Sequence, residues 1–210
     1  MATDVSTQEK LKGLCTGYEL KEMFSVATRW LEKNAPAINA LNVFPVPDGD
    51  TGTNMLLTMR STMEEAARIQ KNDASAIGQA MARGALMGAR GNSGVILSQI
   101  LKGLADGIGD CATFGPHEMA LAFEKASQVA YKAVSRPKEG TMLTVAKDVA
   151  RAANDAVAAG CSTAVDMLQA VVQEAAESVE RTPELLDVLK EAGVVDAGGK
   201  GLYILLEGAL

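Results

Sequence analysis

Asp48 and Asp50 stand one glycine apart in the segment Asn42-Val43-Phe44-Pro45-Val46-Pro47-Asp48-Gly49-Asp50-Thr51-Gly52-Thr53-Asn54. Two carboxylates on a loop stiffened by two prolines can aim their oxygens at one shared cation. Hard oxygen ligands of this kind suit magnesium or manganese, which keep some waters and draw their remaining oxygens from phosphate. The Asn42 amide oxygen can serve as a neutral third ligand. Taken alone, the same residues equally suit a turn and a helix N-cap, since aspartate and glycine are what those positions ask for.

Three further loops strengthen the case for chemistry: Gly88-Ala89-Arg90-Gly91-Asn92-Ser93-Gly94, Glu139-Gly140-Thr141-Met142 and Asp196-Ala197-Gly198-Gly199-Lys200-Gly201. Each precedes an apolar helical pattern with small or hydroxyl residues. Glycines let a ligand approach the backbone, and the N–H groups at a helix start favour phosphate. If the fold brings these ends together, they form one anion site that complements the carboxylates. Neither a Walker P-loop nor the protein-kinase signature set is present, so a nucleotide here must be held in another way.

The elements that must position these loops read as helices throughout, because alanine and leucine dominate and apolar residues recur at helical spacing. Leu11, Leu14, Cys15, Tyr18, Phe24 and Val26 give a first helix its apolar side, with an end near Asn34 before Pro36. Later helices are predicted from Asp50 or Thr51 to Ile69, with Met55, Leu56, Met59 and Met63 in the core, then Ala74 to Ala89, and Gly91 to Leu104. An exposed glycine-rich loop spans Asp106 to Pro116. Helices then follow at His117 to Val134, Thr141 to Ala159, Thr163 to Val179, Pro183 to Glu191, and Gly199 to the end. Eight or nine helices without a composition break make 1–210 a single all-α domain, an antiparallel bundle. The chain stops within an apolar segment, Leu202 to Leu210, which reads as a domain excised from something longer.

Composition narrows the function classes. The 210 residues are 48% hydrophobic and 22% charged, enough for one sizeable core. A net charge of -6 and 4% aromatic residues argue against nucleic acid. No apolar run reaches the roughly 18 residues of a membrane span, so the expected location is the cytoplasm. Cys15, Cys111 and Cys161 form no CxxC pair and read as small core hydrophobes. The single histidine, His117, reads as a surface residue at a helix start, and the methionines as core filler. Trp30 reads as a buried anchor, and Glu64, Glu65 and Arg68 as a solvated face with an i to i+4 pair.

At these motifs the sequence resembles the nucleotide-binding subunit family of bacterial dihydroxyacetone kinase (DhaL), and more strongly the N-terminal kinase domain of the fatty acid kinases (FakA). The resemblance rests on LNVFPVPDGDTGTNM at Leu41 to Met55, GARGNSGVILSQ at Gly88 to Gln99, EGTMLTVAKD at Glu139 to Asp148 and VVDAGGKGL at Val194 to Leu202. It implies a closed barrel of eight antiparallel helices that binds ATP and two Mg2+ ions in the loops at one end. Asp48 and Asp50 would be the catalytic metal ligands. The segment Thr51, Gly52, Thr53 and Asn54 would contact phosphate, as would Asn92, Ser93 and Gly94. Thr141 and Met142 would lie near the nucleoside, with Asp196, Ala197 and Gly198 as a further nucleotide-contacting segment. Arg181 would belong to a covering lid. The dihydroxyacetone kinase subunit carries a third aspartate where Val43 stands, leaving adjacent Asn42 for that metal position, and a histidine where Thr51 stands. Both departures favour the fatty acid kinases.

The resemblance then implies transfer of the ATP γ-phosphoryl to a fatty-acid carboxylate presented by a separate lipid-binding carrier of the DegV or FakB kind, recruited through regions beyond this chain. No apolar substrate cavity is signalled, which agrees with an acyl chain kept in the carrier. Two other readings stay open: a dihydroxyacetone kinase subunit acting on a small ketose, and a noncatalytic nucleotide-binding scaffold. The oligomeric state, including a homodimer, is not set by the sequence.

Overall fold

The computed structural model describes residues 13–210, and Leu11 therefore lies outside the described residues. These fold as all-α: α1 (Gly17–Ala40), α2 (Thr51–Ala67), α3 (Ala74–Gly88), α4 (Gly91–Ile108), α5 (Pro116–Ala133), α6 (Met142–Ala158), α7 (Ala164–Leu185), α8 (Asp187–Ala192) and α9 (Ala197–Ala209). Two short strands, β1 (Cys15–Thr16) and β2 (Thr113–Phe114), pair antiparallel. Each helix from α1 to α7 packs on the next, and α9 closes the ring by packing on both α7 and α1. Short α8 packs on α7 outside the ring. The result is a closed barrel of eight long helices, as the resemblance implies.

Short loops make consecutive helices antiparallel. Within the ring, the apolar stripe of each helix turns inward. Leu31, Ile38, Met55, Met59, Ile77, Leu97, Met142, Leu143 and Met167 are fully buried. Where α4 meets α5 the approach is close: a Cβ on Gly103 or Gly107 would stand 2.4 Å or 2.3 Å from the Cα of Ala126 or Ala122. At the centre lies an apolar cavity of about 90 Å³ between Leu20, Phe24, Leu101, Phe123 and Leu205. The sequence did not signal it. It is smaller than the roughly 150 Å³ apolar cavity that takes one benzene ring, so it cannot hold a long acyl chain without the helices separating.

Several elements depart from the sequence reading. Helix α1 does not end before Pro36 but continues to Ala40. Its buried stripe, Leu20, Ala27, Leu31, Ala35 and Ile38, runs past the exposed proline, and this burial outweighs the roughly 3 kcal/mol cost of an interior proline. Leu14 and Cys15 precede the helix, while Tyr18 and Val26 face solvent. Pro183 likewise lies inside α7 rather than opening the next helix. Proline leaves the Val179 carbonyl without its usual donor, and the Thr182 hydroxyl takes that place at 2.6 Å.

The predicted loop at Asp106 to Pro116 is partly ordered, because α4 runs on to Ile108 and Phe114 on β2 is buried. Trp30 is not a buried anchor. It is 38% exposed, and its indole N–H donates to Glu207 at 2.6 Å, tying α1 to α9 where the ring closes. Arg68 pairs with Glu65 at i,i+3 rather than with Glu64. The cysteines are free and only half-buried, and Met87 is exposed rather than core. His117 is exposed, as the sequence reading has it. No helix among the described residues is long and apolar enough to cross a membrane.

Candidate functional site

Up-and-down alternation puts the starts of α2, α4, α6 and α9 at one end of the barrel, since α8 returns the chain without adding a long helix. The four motif loops therefore meet, although they are spread from Asn42 to Gly201 in sequence. Between them lies a cleft of about 730 Å³, the size of a small-ligand site. It is lined by the predicted residues Asn42, Asp48, Asp50, Thr51, Asn54, Asn92, Ser93, Thr141, Met142, Asp196 and Gly198.

The other predicted residues do not line the cleft. Gly52 is buried against the backbone of Ala35, and Gly94 against Thr58. Thr53 exchanges hydrogen bonds with the Asn39 amide, which donates to its hydroxyl at 3.0 Å and accepts its N–H at 3.1 Å. Ala197 is buried. Arg181 does not line the cleft: its guanidinium donates to Glu174 at 2.6 Å and to Asp148 at 3.1 Å, bracing α7 against α6.

Asn42 organises the acidic loop. Its side-chain N–H group donates to Asp48 at 2.7 Å and to the Val46 carbonyl at 2.9 Å, while its oxygen accepts from the Thr51 hydroxyl. The amide nitrogen thus faces the carboxylate, and the buried side chain fixes where Asp48 stands relative to the start of α2. Among the described residues no three His, Cys, Asp or Glu side chains cluster to hold a metal. The pair Asp48 and Asp50, both lining the cleft, is therefore short of a self-sufficient cage. Such a pair fits magnesium, which is commonly bound by one or two carboxylates and completes its shell with water and phosphate oxygens.

The four helix starts are not equivalent. At α9 the Asp196 side chain accepts from the Gly199 N–H at 2.7 Å. At α6 the Thr141 hydroxyl accepts from the Leu143 N–H. Each of these two helix starts thus has one N–H taken by its own N-cap side chain. At α2 and α4 the N-cap residues Asp50 and Arg90 place no side chain on the first turn. Apart from the Thr53 N–H, which donates to the Asn39 side chain at 3.1 Å, the first turns of α2 and α4 meet no capping side chain, and these positive ends belong to the same cleft as Asp48 and Asp50.

Asp196 is only 5% exposed. Burial pushes its pKa up to about 6, although backbone N–H donation, that of Gly199 foremost, pulls the other way. Its own N–H donates to the Thr182 hydroxyl at 3.0 Å, the same hydroxyl that repairs the gap left by Pro183.

One wall of the cleft was missed. Ala133, Val134, Ser135, Arg136 and Lys138 line it, from the end of α5 and the loop before α6. The available signal was the basic pair in Arg136-Pro137-Lys138, directly ahead of Glu139-Gly140-Thr141. Glu139 anchors that loop, accepting from Lys147 at 2.7 Å, Thr144 at 2.9 Å and Tyr131 at 2.9 Å. Burial alone would raise its pKa; these three donors outweigh burial and hold it below the ordinary carboxylate value.

Similarity to known proteins agrees with this arrangement. The protein YloV of Bacillus subtilis is 50% identical over 195 residues, covering 92% of this chain and 35% of YloV. An uncharacterized protein of Staphylococcus aureus is 48% identical over 180 residues, 86% of this chain and 33% of that protein. The chain therefore spans about a third of the length of these relatives. Among solved structures, the dihydroxyacetone kinase of C. freundii in complex with AMP-PNP and Mg2+ superposes with a TM-score of 0.65 at 18% identity, over 90% of this chain and 32% of that one. Its native form gives 0.62 at 15% identity. Those two likenesses establish the shared fold. The DAK2 domain model matches residues 45–210, from the acidic loop through the last helix, and the chain belongs to that family.

Proposed function

We propose that the cleft binds Mg-ATP and that the chain transfers the γ-phosphoryl to the carboxylate of a fatty acid presented by a separate lipid-binding protein. The observation that carries the phosphoryl part is the placing of Asp48 and Asp50 beside two helix starts that no N-cap side chain closes. Asp48 and Asp50 would hold magnesium, which supplies charge neutralisation for the phosphates when bound. Asn42 positions Asp48. Backbone N–H groups at Thr51, Gly91, Asn92 and Ser93 would hold the β- and γ-phosphates, and Thr141, Met142 and the Asp196 to Gly198 turn would face the nucleoside.

In this reading a carboxylate oxygen of the acceptor forms a bond to the γ-phosphorus as the bond to the β-phosphate bridging oxygen breaks, giving an acyl phosphate and ADP. A fatty-acid carboxylate is already ionised near neutral pH, so no general base is required, and positioning dominates. Three observations support the lipid acceptor: Thr51 and Asn42 in place of the histidine and aspartate of the dihydroxyacetone kinase subunit, a central cavity too small for an acyl chain, and relatives with length to spare for recruiting a carrier. The second reading, a ketose acceptor held by another subunit, is favoured by the fold shared with the C. freundii enzyme.

The deciding experiment is calorimetric titration of ATP with and without magnesium into wild type and Asp48→Ala, followed by phosphoryl transfer with fatty acid on candidate carriers and with dihydroxyacetone on its subunit. Magnesium-dependent binding lost in the variant supports the site. Binding with neither acceptor phosphorylated would leave a nucleotide-binding scaffold. Absence of ATP binding by the wild type would overturn the reading.

A further inference from the structure

The cleft has an acidic side and a basic side. Asp48, Asp50 and Asp196 are its acidic lining residues, and Arg136 and Lys138 are its cationic ones. Neither Arg136 nor Lys138 enters an ion pair among the described residues, whereas the nearby Lys147, Arg151 and Arg181 are all consumed by carboxylates. A nucleotide polyphosphate brings several negative charges, more than the partial charges at the starts of α2 and α4 offset. Further positive charge has to come from side chains, and a chain of net charge -6 supplies the cleft with two.

The backbone that carries these cations is braced rather than loose. Pro137 fixes φ between them and biases Arg136 toward extended backbone. The Lys138 carbonyl accepts from the Thr141 hydroxyl at 2.8 Å, and the Gly140 N–H donates to the Thr144 hydroxyl at 2.9 Å. Gly140 sits at φ +77, where a Cβ would meet the Thr182 carbonyl at 2.8 Å, so the loop is wedged against α7. Glu139, between Lys138 and Gly140, points the opposite way into its Tyr131, Thr144 and Lys147 partners. The geometry thus fixes the loop from behind and leaves its basic side chains on the cleft.

We propose that Arg136 and Lys138 are the cationic side chains of the site and contact the phosphate oxygens of the nucleotide in the cleft that Asp48 and Asp50 also line. This rests on the nucleotide reading of the cleft. Arg136, with its planar fork, suits two oxygens of one phosphate, and Lys138 acts as a point charge.

The test is titration of the full chain with AMP, ADP and ATP, each with magnesium, on wild type, Arg136→Gln, Lys138→Gln and Arg136→Lys. Each glutamine variant is expected to weaken ATP on the order of tenfold, with a loss that grows from AMP to ATP and shrinks at high salt. Arg136→Lys restores part of it. Equal loss for AMP and ATP, or wild-type affinity for ATP in both glutamine variants, overturns the proposal while leaving the nucleotide site in place. Failure of wild type to bind any of the three nucleotides overturns the site itself.

Discussion

Replacing Asp196 by asparagine is expected to remove a pH dependence of stability that the wild-type chain carries. The folded carboxyl titrates at about 6 against an ordinary value of 3.8. At about 1.4 kcal/mol per pH unit, holding it ionised in the folded chain costs about 3 kcal/mol. Because the folded state keeps this proton to higher pH than the unfolded state does, the contribution is fully present below about pH 4 and is lost as pH rises to about 6. Above that it is constant. For a chain of this length the loss corresponds to roughly 6–12 °C in Tm. Asparagine keeps one carbonyl oxygen for the Gly199 N–H but cannot ionise. Urea denaturation of both proteins at half-unit steps from pH 4 to pH 7 gives the difference in stability, in which the carboxylates shared by both proteins cancel. That difference should move against the wild type by about 2 kcal/mol between pH 4 and pH 6.5, the rest of the roughly 3 kcal/mol lying outside that window. A difference that stays constant would mean that the N–H donors outweigh burial, and that Asp196 sits in the fold as an ordinary ionised cap.

Other outcomes follow from the same geometry. Asp48→Ala and Asp50→Ala should each abolish phosphoryl transfer and magnesium-dependent ATP binding, with Tm nearly unchanged because both side chains stand at the mouth of the cleft and outside the core; loss of folding in either variant, or retained activity, would contradict the metal assignment. Ser93→Trp should fill the cleft between α2 and α4 and lower ATP affinity at least tenfold, read by calorimetry; unchanged affinity would move the phosphates elsewhere. Gly52→Ala puts a methyl 2.4 Å from the Ala35 carbonyl, so α2 must shift from α1, at a cost of about 1–3 kcal/mol read from the urea midpoint. A neutral result there would show that the packing of α2 on α1 does not fix the acidic loop.

Much of the helical content was legible because apolar periodicity and loop punctuation are local properties. The starts of α2, α3, α4, α6 and α7 fall within a residue or two of where capping and glycine signals put them. Both interior prolines misled for the opposite reason. Whether a helix survives a proline depends on what the flanking residues bury, and at Pro183 on the Thr182 hydroxyl, neither of which the chemistry of proline itself reveals. Trp30 misled similarly, since a large aromatic is placed by its neighbours, here Glu207 on a helix far along the chain.

For the site, residue type alone determined that Asp48, Asp50 and Asn42 were the candidates for cation and phosphate chemistry, because carboxylates, amides and glycines carry that chemistry wherever they are put. Only the tertiary structure decided how the four loops divide the work. Asp196 caps α9 through Gly199 and Thr141 caps α6 through Leu143, while the N-cap residues of α2 and α4 place no side chain on the first turn. Arg136 and Lys138 line the same cleft as those starts because α5 packs between α4 and α6 in the ring. Which donors remain open is a property of three-dimensional proximity, and the order of residues along the chain does not contain it.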